Sequence, residues 1–257
     1  MPRPHNCNGD FGQSADAVEI GGYDPFEASP ETSIPRGLYL RDLVTEGPNN
    51  EERRQDNSHL LHSASPSNGA PGDTVELARY LIGKIAVHDT DDGRLSGRIV
   101  ETEAYPVGDS AGHAFRGETP RNASLFLGPG HAYVYFTYGS SFMLNVTSEV
   151  VGVGAGVLLR ALEPLEGIDR MQSFRGGAGL LDLARGPGRL ARAMQIDLRQ
   201  DGLDLCAAGP LWLATSRRKT AAIGKSVRIG LTRDVDRKLR FYERGNPYVS
   251  GPKRLRE

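Results

Sequence analysis

The chain has 257 residues, a formal net charge of −1 and two cysteines, Cys7 and Cys206. That length is enough for one large domain or two small ones with a proper apolar core, and two cysteines cannot build a disulfide framework or a cysteine-rich zinc site. The opening Met-Pro-Arg-Pro-His-Asn-Cys has no apolar run, which argues against a signal peptide or membrane-spanning helix and for an intracellular, soluble protein.

The near-zero net charge hides a split. Residues 1–70 carry eleven acidic and five basic side chains, whereas residues 71–257 carry 26 basic against 21 acidic. The first stretch is rich in Asn, Ser, Pro, Gly and Glu without helical or strand periodicity, so it reads as a disordered extension before an ordered domain over 71–257. The basic excess of that domain is compatible with a polyanionic partner, although many soluble enzymes share it.

In chain order, Asp73 and Glu76 are spaced as a capping pair for a helix whose apolar stripe is Leu77, Ala78, Leu81 and Ile82, with Gly83 ending it. The runs Ile85–His88 and Leu95–Thr102 flank Asp-Thr-Asp-Asp-Gly and predict a hairpin. A polar loop over 106–130 follows, then strands His131–Thr137 and Phe142–Thr147 around a turn at Tyr138-Gly-Ser-Ser. A short buried strand is expected at Val157–Ala161, helices at Pro164–Phe174 and Pro187–Ile196, and closing strands at Val227–Leu231 and Leu239–Tyr242. Hairpin-linked strands with helices between them predict a single α+β domain on a mixed, largely antiparallel, curved sheet flanked by helices.

Several of these segments carry chemistry. Within Arg98-Ile-Val-Glu-Thr-Glu-Ala-Tyr105, strand alternation places Glu101, Glu103 and Tyr105 on one side. Buried carboxylates there are either salt-bridged or used, for example as a general base with a raised pKa. Tyr133 and Tyr135 share a strand face, where Tyr133 reads as an ordinary core aromatic. Tyr138, at a hairpin tip with nothing to bury against, suits stacking on or wedging between bases. Arg160 in a buried-looking strand needs an anionic partner, a carboxylate or a phosphate. Asn145 in an apolar strand either caps a backbone group or projects into a cleft. A loop histidine such as His113 says little by itself.

Together the segments resemble the alkyladenine (3-methyladenine) DNA glycosylase family over residues 74–250. The blocks that carry the resemblance are Gly97-Arg-Ile-Val-Glu-Thr-Glu-Ala-Tyr105, Thr119-Pro-Arg-Asn122, Tyr133-Val-Tyr-Phe-Thr-Tyr-Gly139, Leu158-Leu-Arg-Ala-Leu-Glu-Pro164, Gly186-Pro-Gly-Arg-Leu190, Arg228-Ile-Gly230 and Arg240-Phe-Tyr followed by Gly-Asn-Pro-Tyr248. The resemblance implies that Glu103 activates the attacking water with Arg160 beside it. It implies that Tyr105, His113 and Tyr135 sandwich and hydrogen-bond a flipped base. Tyr138 would fill the hole left in the duplex, and Asn145 would screen out bases with an exocyclic amino group. Ser140-Ser141 and Lys238-Leu239 depart from the family's usual bulkier residues and Pro-Trp pair.

The activity so implied is monofunctional excision of alkylated or deaminated purines from duplex DNA, leaving an abasic site, because no motif lysine is placed for a Schiff base. Flipping costs a few kcal/mol, which stacking at about 1–3 kcal/mol per base can offset. The expected partner is damaged double-stranded DNA, without membrane, metal or cofactor, for a monomer that is cytoplasmic and nucleoid-associated if bacterial. A non-enzymatic nucleic-acid binder and a hydrolase of free nucleosides are the competing readings.

Overall fold

The computed structural model describes residues 73–137 and 139–256. The extension read over residues 1–70 and the proposed wedge Tyr138 lie outside the described residues.

Asp73 opens helix α1 (Thr74–Leu81), its carboxylate accepting the backbone N–H groups of Val75 and Glu76, the donors that a first turn leaves without partners. Leu77, Ala78 and Leu81 are buried, and Gly83 leaves the helix in the left-handed region at φ 88°. The chain then forms strands β1 (Ile85–Thr90) and β2 (Gly93–Tyr105), the predicted hairpin. The second hairpin pairs β3 (Ala132–Thr137) with β4 (Ser141–Thr147).

Strand β5 (Gly156–Glu166) is longer than expected, and helix α2 (Ile168–Phe174) correspondingly shorter. The helix predicted from Pro164 is corrected here: Pro164 still lies opposite Gly97 of β2, and the chain turns only at Gly167, at φ 73°. Helix α3 (Pro187–Ala193) keeps proline at its first position but stops before the predicted Ile196. Strand β6 (Leu211–Ala214), which the sequence reading did not identify, adds to the outer edge of β1. Strands β7 (Ile223–Ser226) and β8 (Arg240–Glu243) form the last pair.

The strand predicted over Val227–Leu231 is a second correction. The sheet pairing ends at Ser226, Gly230 takes φ 81°, and the N–H of Ile229 goes to a side chain instead of a neighbouring strand.

The strands make an eight-stranded sheet in the order β3-β4-β5-β2-β1-β6, with β8 pairing the far end of β2 and β7 pairing β8. Every ladder between these strands is antiparallel, so the parallel component implied by a mixed sheet is not needed. Helix α1 packs on β2, and α3 packs on β4 and β5. Between them Leu81, Ile99, Leu144, Leu159, Leu162 and Leu190 form the centre of the core. Burying such side chains contributes about 1.5–3 kcal/mol each, which holds β2 and β5 rigidly together at the middle of the sheet. No helix among the described residues is long and apolar enough to cross a membrane.

Candidate active site

The alternation of β2 holds through its last five residues. Glu101 and Glu103 are both fully buried, and both face Arg160 of the neighbouring β5. Arg160 Nε donates to Glu101 at 2.8 Å, and its NH1 nitrogen lies 3.1 Å from Glu103 Oε2. The partner required by the buried arginine is thus a pair of carboxylates.

The two glutamates differ in what else they accept. Glu101 receives Arg160 Nε, Arg240 Nε at 2.7 Å, and both the N–H (2.6 Å) and the hydroxyl (3.0 Å) of Ser250. These are four hydrogen bonds, three on Oε1 and one on Oε2, as many as the roughly four acceptor sites a carboxylate offers. Burial by itself would raise the pKa of Glu101, but the guanidiniums of Arg160 and Arg240 outweigh it and hold the carboxyl below its ordinary range. Glu101 is a structural anion that ties β2 to β5, β8 and the segment around Ser250.

Glu103 accepts two hydrogen bonds, from the N–H of Ile229 to Oε1 at 2.8 Å and from the Tyr105 hydroxyl to Oε2 at 3.0 Å, and lies 3.1 Å from the Arg160 guanidinium as an ion pair. Each of its oxygens accepts one hydrogen bond, so acceptor positions are left over. Here burial wins over the pull of Arg160 and the two hydrogen bonds, and the pKa is raised. A buried carboxylate with a raised pKa and a spare lone pair is suited to take a proton.

Beside this group opens a cavity of about 280 Å³, close to the lower end for small-molecule sites at roughly 300 Å³. Tyr105, Arg160 and Ile229, the three partners of Glu103, form part of its wall and leave the carboxylate directly behind them. Tyr133, Tyr135 and His113 form another part. The rings of His113 and Tyr135 meet edge to face with centroids 4.4 Å apart, and His113 Nδ1 is 2.8 Å from the Tyr133 hydroxyl. His113 is exposed at the rim, yet partial desolvation against its neighbours, reinforced by Arg121, lowers its pKa. Asn145 lines the cavity while its amide donates to the backbone carbonyl of Tyr133 at 3.0 Å, so both alternatives open for it are realised.

The structure therefore brings Tyr105, His113, Tyr135, Asn145 and Arg160 together around one space, with Glu103 bound to Tyr105 and Arg160 of its wall. It also adds residues that sequence reasoning missed. Tyr133 is part of the cavity wall and not only a core aromatic; its shared strand face with Tyr135 was the available signal. Arg228 and Asp109, both with fully buried side chains, form a two-pronged ion pair at 2.7 and 3.0 Å. Arg228 also donates to the carbonyl of Ala104 at 3.0 Å, and its guanidinium carbon lies 4.6 Å from the Tyr105 ring centroid. The pair clamps the loop bearing His113 to the loop bearing Ile229. Asn122 completes the clamp: its amide donates to the carbonyls of His113 and Gly117, and its carbonyl oxygen accepts from Thr119. Among the described residues no cluster of three His, Cys, Asp or Glu side chains is arranged to hold a metal ion.

Comparison with known proteins supplies the context. Residues 70–247 match the model of the methylpurine-DNA glycosylase family. A protein of Mesorhizobium japonicum is 65% identical over 187 residues, covering 73% of this chain and 90% of that protein. A protein of Paraburkholderia phytofirmans is 56% identical, with 72% and 87% covered, and one of Chlorobaculum parvum is 46% identical, with 72% and 91% covered. All three relatives are named as 3-methyladenine DNA glycosylases.

Proposed function

This chain belongs to the methylpurine-DNA glycosylase family, and from that premise we propose that Glu103 activates the water that cuts a damaged purine from its sugar. The protein is a DNA glycosylase of base excision repair. The observation that carries the assignment is the difference between two buried carboxylates that share Arg160. Glu101 accepts four hydrogen bonds, whereas Glu103 accepts two, both from residues of the cavity wall.

In this reading the extruded base enters the cavity between Tyr105, Tyr135 and His113. Stacking of about 1–3 kcal/mol per base offsets the few kcal/mol of extrusion. A base alkylated on a ring nitrogen is cationic, so it stacks well on tyrosine faces and already has a weakened glycosidic bond. Glu103 takes a proton from the water as its oxygen bonds to C1′. The bond from C1′ to the base nitrogen breaks, and its electron pair neutralises the departing cation. Until it takes the proton, the Glu103 carboxylate stabilises the sugar as it passes towards an oxocarbenium-like state. Arg160 holds the Glu103 carboxylate in place. A deaminated, uncharged purine also needs a proton on the leaving base. Asn145 supports selection against exocyclic amino groups, and by the family resemblance Tyr138 is assigned the wedge role.

The protein is taken to act on duplex DNA as a monomer. It is taken to be monofunctional, leaving an abasic site. The test is single-turnover excision from a duplex containing 3-methyladenine or hypoxanthine. Glu103→Gln should bind this duplex like the parent and lose about 10²–10⁴ in rate, the usual contribution of a general base. A variant that binds normally and excises as fast as the parent overturns the assignment.

A further inference from the structure

Beyond β8 the chain returns to the two buried glutamates. Arg240, at the start of β8, is fully buried and uses all three guanidinium nitrogens. Its Nε donates to Glu101 at 2.7 Å, its NH1 to the Ser226 hydroxyl and the Leu255 carbonyl, and its NH2 to the Ser250 carbonyl at 2.9 Å. Ser250 in turn donates its N–H to Glu101 Oε2 at 2.6 Å and its hydroxyl to Oε1 at 3.0 Å. One residue thus grips both members of a buried ion pair. The next residue abuts the support of the other glutamate. Gly251 takes φ 81°, and a Cβ there would come within 2.5 Å of Ile229 Cδ1. Ile229 is the residue whose N–H donates to Glu103 Oε1 at 2.8 Å.

Arg160 links the two carboxylates: its Nε donates to Glu101 at 2.8 Å, and its NH1 lies 3.1 Å from Glu103 Oε2. A guanidinium is planar and rigid, so the contact at Nε fixes where NH1 sits. Ser250 supplies two of the four hydrogen bonds that Glu101 accepts. In a poorly solvated interior, a carboxylate that loses a donor draws harder on those that remain. Starving Glu101 therefore pulls the Arg160 guanidinium towards it and away from Glu103. The charged and titratable groups around Glu103 are Arg160 from β5, Glu101 and Tyr105 from β2, Arg240 from β8 behind Glu101, and Arg228 over the Tyr105 ring with its partner Asp109. Ser250 and Gly251 carry no charge and line no part of the base cavity, so any effect they have on excision passes through these groups and through Ile229.

We propose that Ser250 and Gly251 are positioning residues for excision, bracing Glu103 from two sides: Ser250 through Glu101 and Arg160, and Gly251 through the N–H of Ile229. The proposal rests on the reading of Glu103 as the group that activates the water, and extends the machinery to a segment that touches no substrate.

The experiment measures single-turnover excision from a duplex containing 3-methyladenine, from acidic to neutral pH, for the full chain and its variants Ser250→Ala, Ser250→Thr, Gly251→Ala, Glu103→Gln and Leu213→Ala. Arg160 and the N–H of Ile229 both pull the pKa of Glu103 down, so weakening either contact raises it and moves the acid limb of the profile to higher pH. Ser250→Ala and Gly251→Ala should each show that upward move, with binding of a duplex carrying an abasic-site analogue unchanged. A misplacement of 1 Å can cost about 10² in rate, so the smaller displacements expected here should slow excision at neutral pH roughly 10-fold. Ser250→Thr keeps the hydroxyl and should restore the parental limb. Leu213 is buried in β6, at the edge of the sheet away from β5. Leu213→Ala should therefore lower the melting temperature and keep the parental limb, as any merely structural loss would. If Ser250→Ala does not fold, Ser250→Cys, close in shape but a weaker donor, must give a smaller upward move. Folded Ser250 and Gly251 variants with the parental limb overturn the brace when Glu103→Gln is slow. Failure of the underlying reading looks different: Glu103→Gln then excises like the parent, and the brace falls with it whatever the other profiles show.

Discussion

Replacing Arg228 by methionine tests the frame around the base cavity. Arg228 and Asp109 have side chains with no solvent exposure, and their two-pronged contact is the only feature that joins them directly. Breaking a buried pair by removing one partner usually costs about 3–5 kcal/mol, because the remaining charge stays buried without its counter-ion. Here Asp109 retains Arg237 at 3.0 Å and the N–H of Ala111 at 2.9 Å, which places the expected loss at the lower end, about 3 kcal/mol. For a domain of this size that lowers the midpoint of thermal unfolding by roughly 6–12 °C. The double variant Asp109→Leu/Arg228→Met removes both charges and fills the space with apolar atoms, so it should regain most of the loss.

Activity should not return with stability. Without Arg228 nothing holds the Ala104 carbonyl and the Tyr105 ring from that side, and the Ile229 N–H that supports Glu103 is no longer fixed. Melting curves for the parent, both single variants and the double variant give the coupling energy. Single-turnover excision, measured well below every midpoint, gives the catalytic effect. If Arg228→Met melts within a degree of the parent, or if the double variant is no more stable than the singles, the pair does not carry the frame. A stable double variant with parental excision would refute its link to the site.

Two further outcomes follow from the geometry. Glu103 must be deprotonated to accept a proton and its pKa is raised by burial, so excision of a cationic methylated purine should fail on acidification at a pH above the ordinary glutamate value of about 4.3. Because Arg160 pulls that pKa down, Arg160→Gln should move the acid limb further up, and a limb at the ordinary value in a pH–rate profile would contradict the burial argument. At Gly154 an added Cβ would approach Ala114 Cβ and the Phe126 ring to 2.6 Å; Gly154→Val should therefore cost about 1–3 kcal/mol of stability and displace the His113 loop, seen as weaker binding of a damaged duplex at a temperature where the variant is folded.

What the sequence revealed and what it concealed divide along the range of the interactions. Alternation in β2 was enough to place Glu101, Glu103 and Tyr105 on one side, because each strand residue fixes its neighbour two positions on. Alternation could not say which glutamate is free to act. That depends on Arg240 and Ser250, which reach Glu101 from 139 and 149 positions away, and on Ile229, which reaches Glu103 from 126. The same distinction explains the misread segments. Val227–Leu231 is apolar like a strand, but it serves as a cavity wall whose backbone donor is aimed at a carboxylate. Pro164 stands at the start of the helix expected over Pro164–Phe174. It remains in β5 because Gly97 opposite has no Cβ: one placed there would meet Leu162 Cβ at 2.9 Å and the Glu163 carbonyl at 3.1 Å. Local pattern thus identified the strand that carries the chemistry. The choice of Glu103 over Glu101 comes from the number of donors the rest of the fold delivers to each, and it is this difference in saturation, not carboxylate chemistry or strand position, that leaves one of two neighbouring acids able to bind a water.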